Sequence, residues 1–121
     1  MQDIRAFAED VKNHLTKTIL PFWKNLRDDE NGGYFGWLGY DLKPDQEAVK
    51  GCILNSRILW FFANAYLLLK EESLLKEAEH AWRFLRDHCV DRENGGVYWS
   101  LSFDGKPEDT TKHTYNQAFA V

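Results

Sequence analysis

The segment Asp28-Asp29-Glu30-Asn31-Gly32-Gly33-Tyr34-Phe35 returns sixty-three residues later as Asp91-Arg92-Glu93-Asn94-Gly95-Gly96-Val97-Tyr98, with no gap in the match. Tyr40-Asp41-Leu42-Lys43-Pro44-Asp45 has its counterpart in Phe103-Asp104-Gly105-Lys106-Pro107-Glu108, and an apolar run follows each copy. A fixed period of this size marks a repeat architecture, in which each unit buries its apolar face against the next. Two units are too few to close such a structure, so the chain reads as the front part of something larger.

Around the repeats lie helical patterns. Ile4, Phe7, Ala8, Val11, Leu15 and Ile19 recur at helical spacing with charged residues opposite, and Pro21 is expected to kink or end that helix before Phe22-Trp23. A second helix, about 49–70, is apolar on every side and is expected to be covered on every side. A third, about 73–89, is one-sided through Leu74, Ala78, Ala81, Trp82, Leu85 and Cys89, with Ser73 as its N-cap. A fourth starts near Tyr115.

Outer, inner, outer, inner is the order that two concentric rings of helices produce. Between outer and inner helix comes the repeated insert. Its Asn-Gly-Gly supplies the positive backbone dihedrals of a tight turn. Residues 34–40 and 97–103 alternate as short hairpin strands, each closed by an Asp-x-Lys-Pro turn. Six such units would need roughly 380 residues to close a ring. The expected fold is therefore all-α: residues 1–121 as one undivided part, about one-third, of a closed ring of two concentric helix layers. A small open helical domain sufficient by itself is the plainer alternative.

Composition narrows the function. A net charge of -4 with no basic stripe argues against nucleic acid and anionic membrane surfaces. Asn55, Arg57 and Asn64 interrupt the apolar run from Ile53 to Leu69, so no transmembrane span is expected. Cys52 and Cys89 fall in apolar helical stretches and read as buried thiols, not a disulfide. With no apolar signal core at the N-terminus, the expected setting is the cytoplasm. Aromatic residues make up 15% of the chain, a weak pointer to a flat ligand such as a sugar.

The sequence holds no phosphate-cradling glycine loop, no Cys-x-x-Cys, no His-Glu-x-x-His and no nucleophile elbow. His14, His80, His88 and His113 lack metal-ligand spacing, and the first three fall on peripheral helices. Two polar insertions stand out. Asn55-Ser56-Arg57 interrupts an apolar helix, where a guanidinium must meet a carboxylate, face a wet cavity or hold a ligand. Lys112-His113-Thr114-Tyr115-Asn116-Gln117 opens the next inner helix, where it would cap the helix or line a pocket. Asp28, Glu30, Asp91 and Glu93 are paired acids of the kind that hydrolyse glycosides, but equivalent positions in successive repeats favour a turn-forming role.

Three strings together carry a resemblance: residues 50–60 (Lys-Gly-Cys-Ile-Leu-Asn-Ser-Arg-Ile-Leu-Trp), 94–99 (Asn-Gly-Gly-Val-Tyr-Trp) and 112–119 (Lys-His-Thr-Tyr-Asn-Gln-Ala-Phe). In combination they resemble the disaccharide-acting members of the N-acylglucosamine 2-epimerase family, over essentially the whole chain. The resemblance implies an (α/α)6 barrel and epimerisation at C2 of the reducing-end glucose of a β-1,4-linked disaccharide such as cellobiose or lactose. The sugar ring opens, a base removes the C2 proton beside the C1 aldehyde, and an enediolate forms. A second group returns a proton to the opposite face. Such chemistry needs two acid/base groups of near-neutral pKa, suited to histidine, and donors for the enediolate oxygens.

The resemblance further implies that Arg57 binds the sugar and steadies the enediolate, and that Tyr115, with Asn116 as the weaker candidate, hydrogen-bonds the substrate. His113 is implied only as a supporting neighbour. The family's acid/base histidines are implied to lie beyond Val121, so this stretch alone is expected to be inactive. No cofactor or metal is implied, and the expected partners are a small disaccharide and the rest of the barrel. The rival readings are an N-acylglucosamine epimerase or aldose–ketose isomerase of the same family, an (α/α)6 glycoside hydrolase, and a sugar-binding module.

Overall fold

The computed structural model describes residues 3–121. A first outer helix comprises α1 (Ile4–His14), a π-helical stretch (Leu15–Ile19) and α2 (Leu20–Lys24). After the first insert come β1 (Lys50–Gly51) and the inner helix α3 (Cys52–Leu69). The second outer helix is α4 (Glu72–Phe84), extended by a π-helical stretch (Leu85–Cys89). The second insert carries β2 (Ser100–Leu101) and β3 (Pro107–Asp109), and the inner helix α5 (Thr114–Ala120) follows. The outer–inner–outer–inner order holds.

Several local expectations are corrected. Pro21 neither ends nor breaks the first helix, which continues to Lys24. Proline lacks the N–H that an α-helix donates four residues back, and the π-helical turn just before it relaxes the ladder where that donor is missing. Ser73 is not the cap of α4; Glu71 holds that position without a side-chain bond, while Ser73 Oγ accepts from Lys24 Nζ at 3.1 Å. Asp3 caps α1 instead, its carboxylate accepting from the Arg5 N–H.

The first insert does not form the expected hairpin: it contains only single bridges, Arg27 with Tyr34 and Leu38 with Pro44. The second does, β2 pairing antiparallel with β3 across its Lys-Pro turn. β1 of the first unit then adds antiparallel to β2, making one three-stranded sheet across the two units. Strands this short gain little alone, so the pair in the second insert is extended where the units meet. The Lys-Pro turns do close as expected, Gly39 N–H donating to the Lys43 carbonyl and Ser102 N–H to the Lys106 carbonyl. At matching positions they carry positive φ, Leu42 at 62° and Gly105 at 85°.

Packing follows one side of α3. Ile58, Phe62 and Ala65 meet Leu74, Ala78 and Ala81 of α4 beneath the buried Tyr34. Burying a large apolar side chain there contributes roughly 1.5–3 kcal/mol. A second cluster joins Cys52, Phe84, Cys89, Val97 and Leu101. Both cysteines are free and buried, and a hydrogen bond to Cys52 together with burial pushes the Cys89 thiol up. The expectation that α3 is covered on all sides is not met in this chain: Trp60, Leu67 and Leu68 stand 61–70% exposed. Trp82, assigned to the buried face of α4, is exposed and lies under the Arg86 guanidinium, 4.4 Å from ring centre.

By length and composition α3 is also long and apolar enough to cross a membrane, so its three polar residues do not carry the argument given them. Its contacts do. Asn55 and Ser56 are buried, and one face packs on α4, as in the inner helix of a layered fold.

Candidate functional site

Each insert is held to its inner helix by the same set of polar contacts. Asp28 Oδ1 accepts from the N–H groups of Glu30 and Asn31, both at 2.9 Å, closing the turn. Asp28 Oδ2 takes Lys50 Nζ at 2.6 Å, and Lys50 also donates to the carbonyls of Gly32 at 2.7 Å and Phe103 at 2.9 Å. Asn55 Oδ1 accepts from the Tyr34 N–H at 3.1 Å. In the second unit Asp91 takes the N–H groups of Glu93 and Asn94, Lys112 reaches Asp91 Oδ2 at 2.6 Å and the Gly95 carbonyl at 3.0 Å, and Gln117 accepts from Val97 N–H at 2.8 Å.

The paired acids are therefore turn-builders. For Asp28, burial opposes ionisation, but the Asn31 N–H and the Lys50 ammonium outweigh it and hold its pKa below the usual carboxylate range. The Lys112 ammonium, aided by the Asn94 N–H, depresses Asp91 as well. Glu30 and Glu93 are exposed.

Lys112 belongs to the polar stretch that the sequence marks at the start of α5, but neither it nor Lys50 is expected from the sequence to pair with the turn aspartates. The aspartate-to-lysine separation is twenty-two residues in the first unit and twenty-one in the second, so the lysines fall out of the sixty-three-residue register. A lysine immediately before each inner helix was the available signal.

A cleft of about 780 Å³ opens along α3 between α2 and α5, walled by Trp23, Leu54, Arg57, Trp60, Phe61 and Phe119 among others. Arg57 faces it. Of the fates open to that guanidinium, the cavity is the one observed. Among the described residues it meets no carboxylate, and its nearest aromatic face is Phe119, 5.5 Å from ring centre. An arginine held by a ring, with its donors unengaged, is free to bind a polar ligand in two-pronged fashion.

Tyr115 stands 53% exposed at the start of α5, with Trp99 at 5.8 Å and Phe119 at 6.3 Å between ring centres. Phe119 thus touches both Arg57 and Tyr115, and the sequence reading had overlooked it. Its position one helical turn after Tyr115 was the signal. Asn116 is fully buried, donates to the Tyr98 carbonyl at 2.9 Å and keeps its Oδ1 without a partner among the described residues. It faces the insert rather than the cleft wall.

The histidines lie elsewhere. His80 Nε2 is 2.9 Å from the Gly33 carbonyl and His88 Nδ1 is 3.2 Å from that of Gly105, so both brace inserts. His14 is exposed, and His113, the residue before α5, packs its ring on Trp99 at 4.3 Å. Among the described residues no three His, Cys, Asp or Glu gather as a metal site.

Comparison with known proteins fits this arrangement. The family described as N-acylglucosamine 2-epimerase (GlcNAc 2-epimerase) matches residues 33–121. A cellobiose 2-epimerase of Eubacterium cellulosolvens is 58% identical over 113 residues, covering 93% of this chain and 28% of the relative. The structure of cellobiose 2-epimerase from Bacillus thermoamylovorans B4167 superposes with a TM-score of 0.94 at 46% identity, covering 96% of this chain and 30% of that one. A more distant relative, a D-mannose isomerase of Marinomonas mediterranea, is 28% identical over 119 residues, 98% of this chain and 29% of its own length.

Outer and inner helices alternating beside an aromatic cleft are the architecture of part of an α/α barrel, the fold of the sugar-epimerase structures on which the chain superposes. The chain belongs to the N-acylglucosamine 2-epimerase family. It spans about 28–30% of the length of the relatives it matches.

Proposed function

We propose that the protein to which this chain contributes is a carbohydrate 2-epimerase acting on the reducing-end glucose of β-1,4-linked disaccharides, converting cellobiose to glucosyl-mannose and lactose to epilactose. The single observation that carries the reading is Arg57: a guanidinium with no carboxylate partner among the described residues, facing an aromatic cleft. Similarity to cellobiose 2-epimerases at up to 58% identity points the same way.

In this reading the Trp23, Trp60 and Phe119 rings offer faces to the apolar side of the sugar. Once the ring opens, the C2 proton is acidified by the C1 aldehyde. Arg57 donates to the oxygens on which enediolate charge develops, lowering the barrier for proton removal. Tyr115, which stands beside the cleft residue Phe119 without itself walling the cleft, hydrogen-bonds a sugar hydroxyl from its lip, whereas Asn116, fully buried and turned to the insert, makes no sugar contact. The two proton transfers are assigned to histidines outside this chain, since none of His14, His80, His88 and His113 walls the cleft. This stretch alone is accordingly inactive. The two unpaired thiols suit a cytoplasmic setting.

The D-mannose isomerase relative supports a second reading, in which the same enediolate is protonated at C1 and yields a ketose. One experiment separates them. The natural full-length protein is incubated with cellobiose in D2O. Glucosyl-mannose with deuterium at C2 is expected, a ketose product would favour the isomerase, and free glucose would mean a hydrolase.

A further inference from the structure

The repeat separates residues that the fold needs twice from residues that it uses once. The turn aspartates, the lysines that hold them and the Asn55 and Gln117 acceptors serve the same roles in both units. With the units aligned on those residues, other equivalent positions differ: Gly36 against Trp99, Gly51 against His113, Ile53 against Tyr115 and Arg57 against Phe119. A Cβ at Gly36 would collide with the Val49 carbonyl, so the first insert admits no side chain there. The second insert holds a tryptophan at that point.

These unit-specific residues touch one another. The His113 ring packs on Trp99 at 4.3 Å between centres, and Trp99 meets Tyr115 edge-on at 5.8 Å. Tyr115 meets Phe119 edge-on at 6.3 Å, and the Phe119 ring centre lies 5.5 Å from the Arg57 guanidinium. The foot of this ladder is anchored to the helix that carries Arg57, since the Trp99 carbonyl accepts from the Cys52 N–H at 3.1 Å. Trp99 is half-buried and does not wall the cleft, whereas Phe119 does. A carboxylate would hold the arginine by engaging its N–H donors. A ring attracts the same charge and leaves those donors to a ligand.

We propose that Trp99 and Phe119 are positioning residues, which align Arg57 for the oxygens of the reacting sugar. Trp99 fixes Tyr115, Tyr115 fixes Phe119, and Phe119 holds the guanidinium at the cleft with its donors unengaged. The inference rests on the epimerase reading for what Arg57 is aimed at; the ladder itself rests on packing alone. A long arginine side chain has many rotamers to lose, and charge is stabilised best by donors in place before it develops. One ring at an exposed site is a weak restraint, and the edge-to-face contacts behind Phe119 keep it from turning away.

The test uses the natural full-length protein. Trp99→Leu and Phe119→Leu are each expected to lower kcat for cellobiose about tenfold or more, with KM rising by less than kcat falls. Trp99→Phe and Phe119→Tyr, which keep a ring, are expected to retain most of the turnover. In an Arg57→Ala background neither leucine variant should lower kcat further by more than about twofold, because nothing remains to be aligned. A loss that persists in full in that background, or that neither ring-bearing variant recovers, would overturn the proposal. A second measurement needs no turnover. In the NMR spectrum of the ligand-free protein, the Arg57 Cδ protons, assigned by their absence from Arg57→Ala, are expected to carry an upfield ring-current shift. Phe119→Leu should abolish that shift and Trp99→Leu reduce it; a signal indifferent to both would equally sink the ladder. Wild-type protein that leaves cellobiose unchanged would defeat the epimerase reading instead, and the spectrum then decides the ladder by itself.

Discussion

Lys50 Nζ and Asp28 Oδ2 lie 2.6 Å apart with their side chains 0% and 3% exposed, so the first insert is pinned to its inner helix by an ion pair water does not reach. A buried charge is tolerable only when its partners are complete, and Lys50 has three acceptors. Replacing it with methionine keeps the bulk but strands a buried carboxylate. Lys50→Met is expected to destabilise the protein by about 3–5 kcal/mol, read as a drop in the denaturation midpoint of the full-length protein. A loss under about 1 kcal/mol would show the pair to be dispensable.

The same acids set a pH dependence. Asp28 and Asp91 have folded pKa values below their unfolded ones, so at low pH the unfolded chain binds more protons than the folded one. Their contribution is complete above the ordinary aspartate pKa of about 3.9 and drains away as pH falls through the depressed values. Stability measured by thermal melts from pH 6 to pH 2 should fall mainly below about pH 4, and Asp28→Asn should flatten that fall while lowering the plateau. A decline centred near pH 6 would point to histidine instead.

Glycine is required unequally along the two turns. A Cβ on Gly33 would sit 2.8 Å from Phe84 Cγ and 2.9 Å from Asn55 Oδ1, at a φ of +67°. At Gly95, φ is +78° but nothing lies within 4 Å. Gly95→Ala should therefore cost only the backbone strain of about 1–2 kcal/mol, and Gly33→Ala distinctly more, because a side chain must also be displaced. Equal losses in paired denaturation curves would contradict the close approach at Gly33.

Arg57 offers a test of function without a test of folding. It is exposed and makes no ion pair among the described residues, so Arg57→Ala should shift stability by no more than about 0.5 kcal/mol. In the full-length protein, kcat for cellobiose should fall about 100- to 1,000-fold, the range for removing a donor to a developing oxyanion. Arg57→Lys should recover little, since an ammonium lacks the planar fork. Near-normal turnover in Arg57→Ala would remove this residue from the mechanism.

The helices were legible because each outer one wears its apolar residues at helical spacing, and because Asn-Gly-Gly has few uses other than a turn with positive φ. Pro21 was misjudged for a local reason, since the π-helical turn just before it absorbs the missing donor. The other misjudgements fell where a distant part of the chain decides. Residues 34–40 alternate like a strand, but the strand pairing went to the neighbouring unit. Lys50 reads as one more surface lysine until Phe103, fifty-three residues on, closes over it.

The sequence by itself determined the repeat, the order of helices, the turn chemistry of Asp28 and Asp91, and the oddity of Arg57 in an apolar helix. All of these depend on residues close together or on a pattern copied along the chain. Only the tertiary structure decided which polar groups are consumed internally and which remain open. Lys50 is complete, Lys112 lacks one acceptor among the described residues, Asn116 turns to the insert and Arg57 to the cleft. Those assignments rest on where two or three distant segments meet in space, and a buried hydrogen-bonding group is defined by that meeting rather than by its neighbours in the chain.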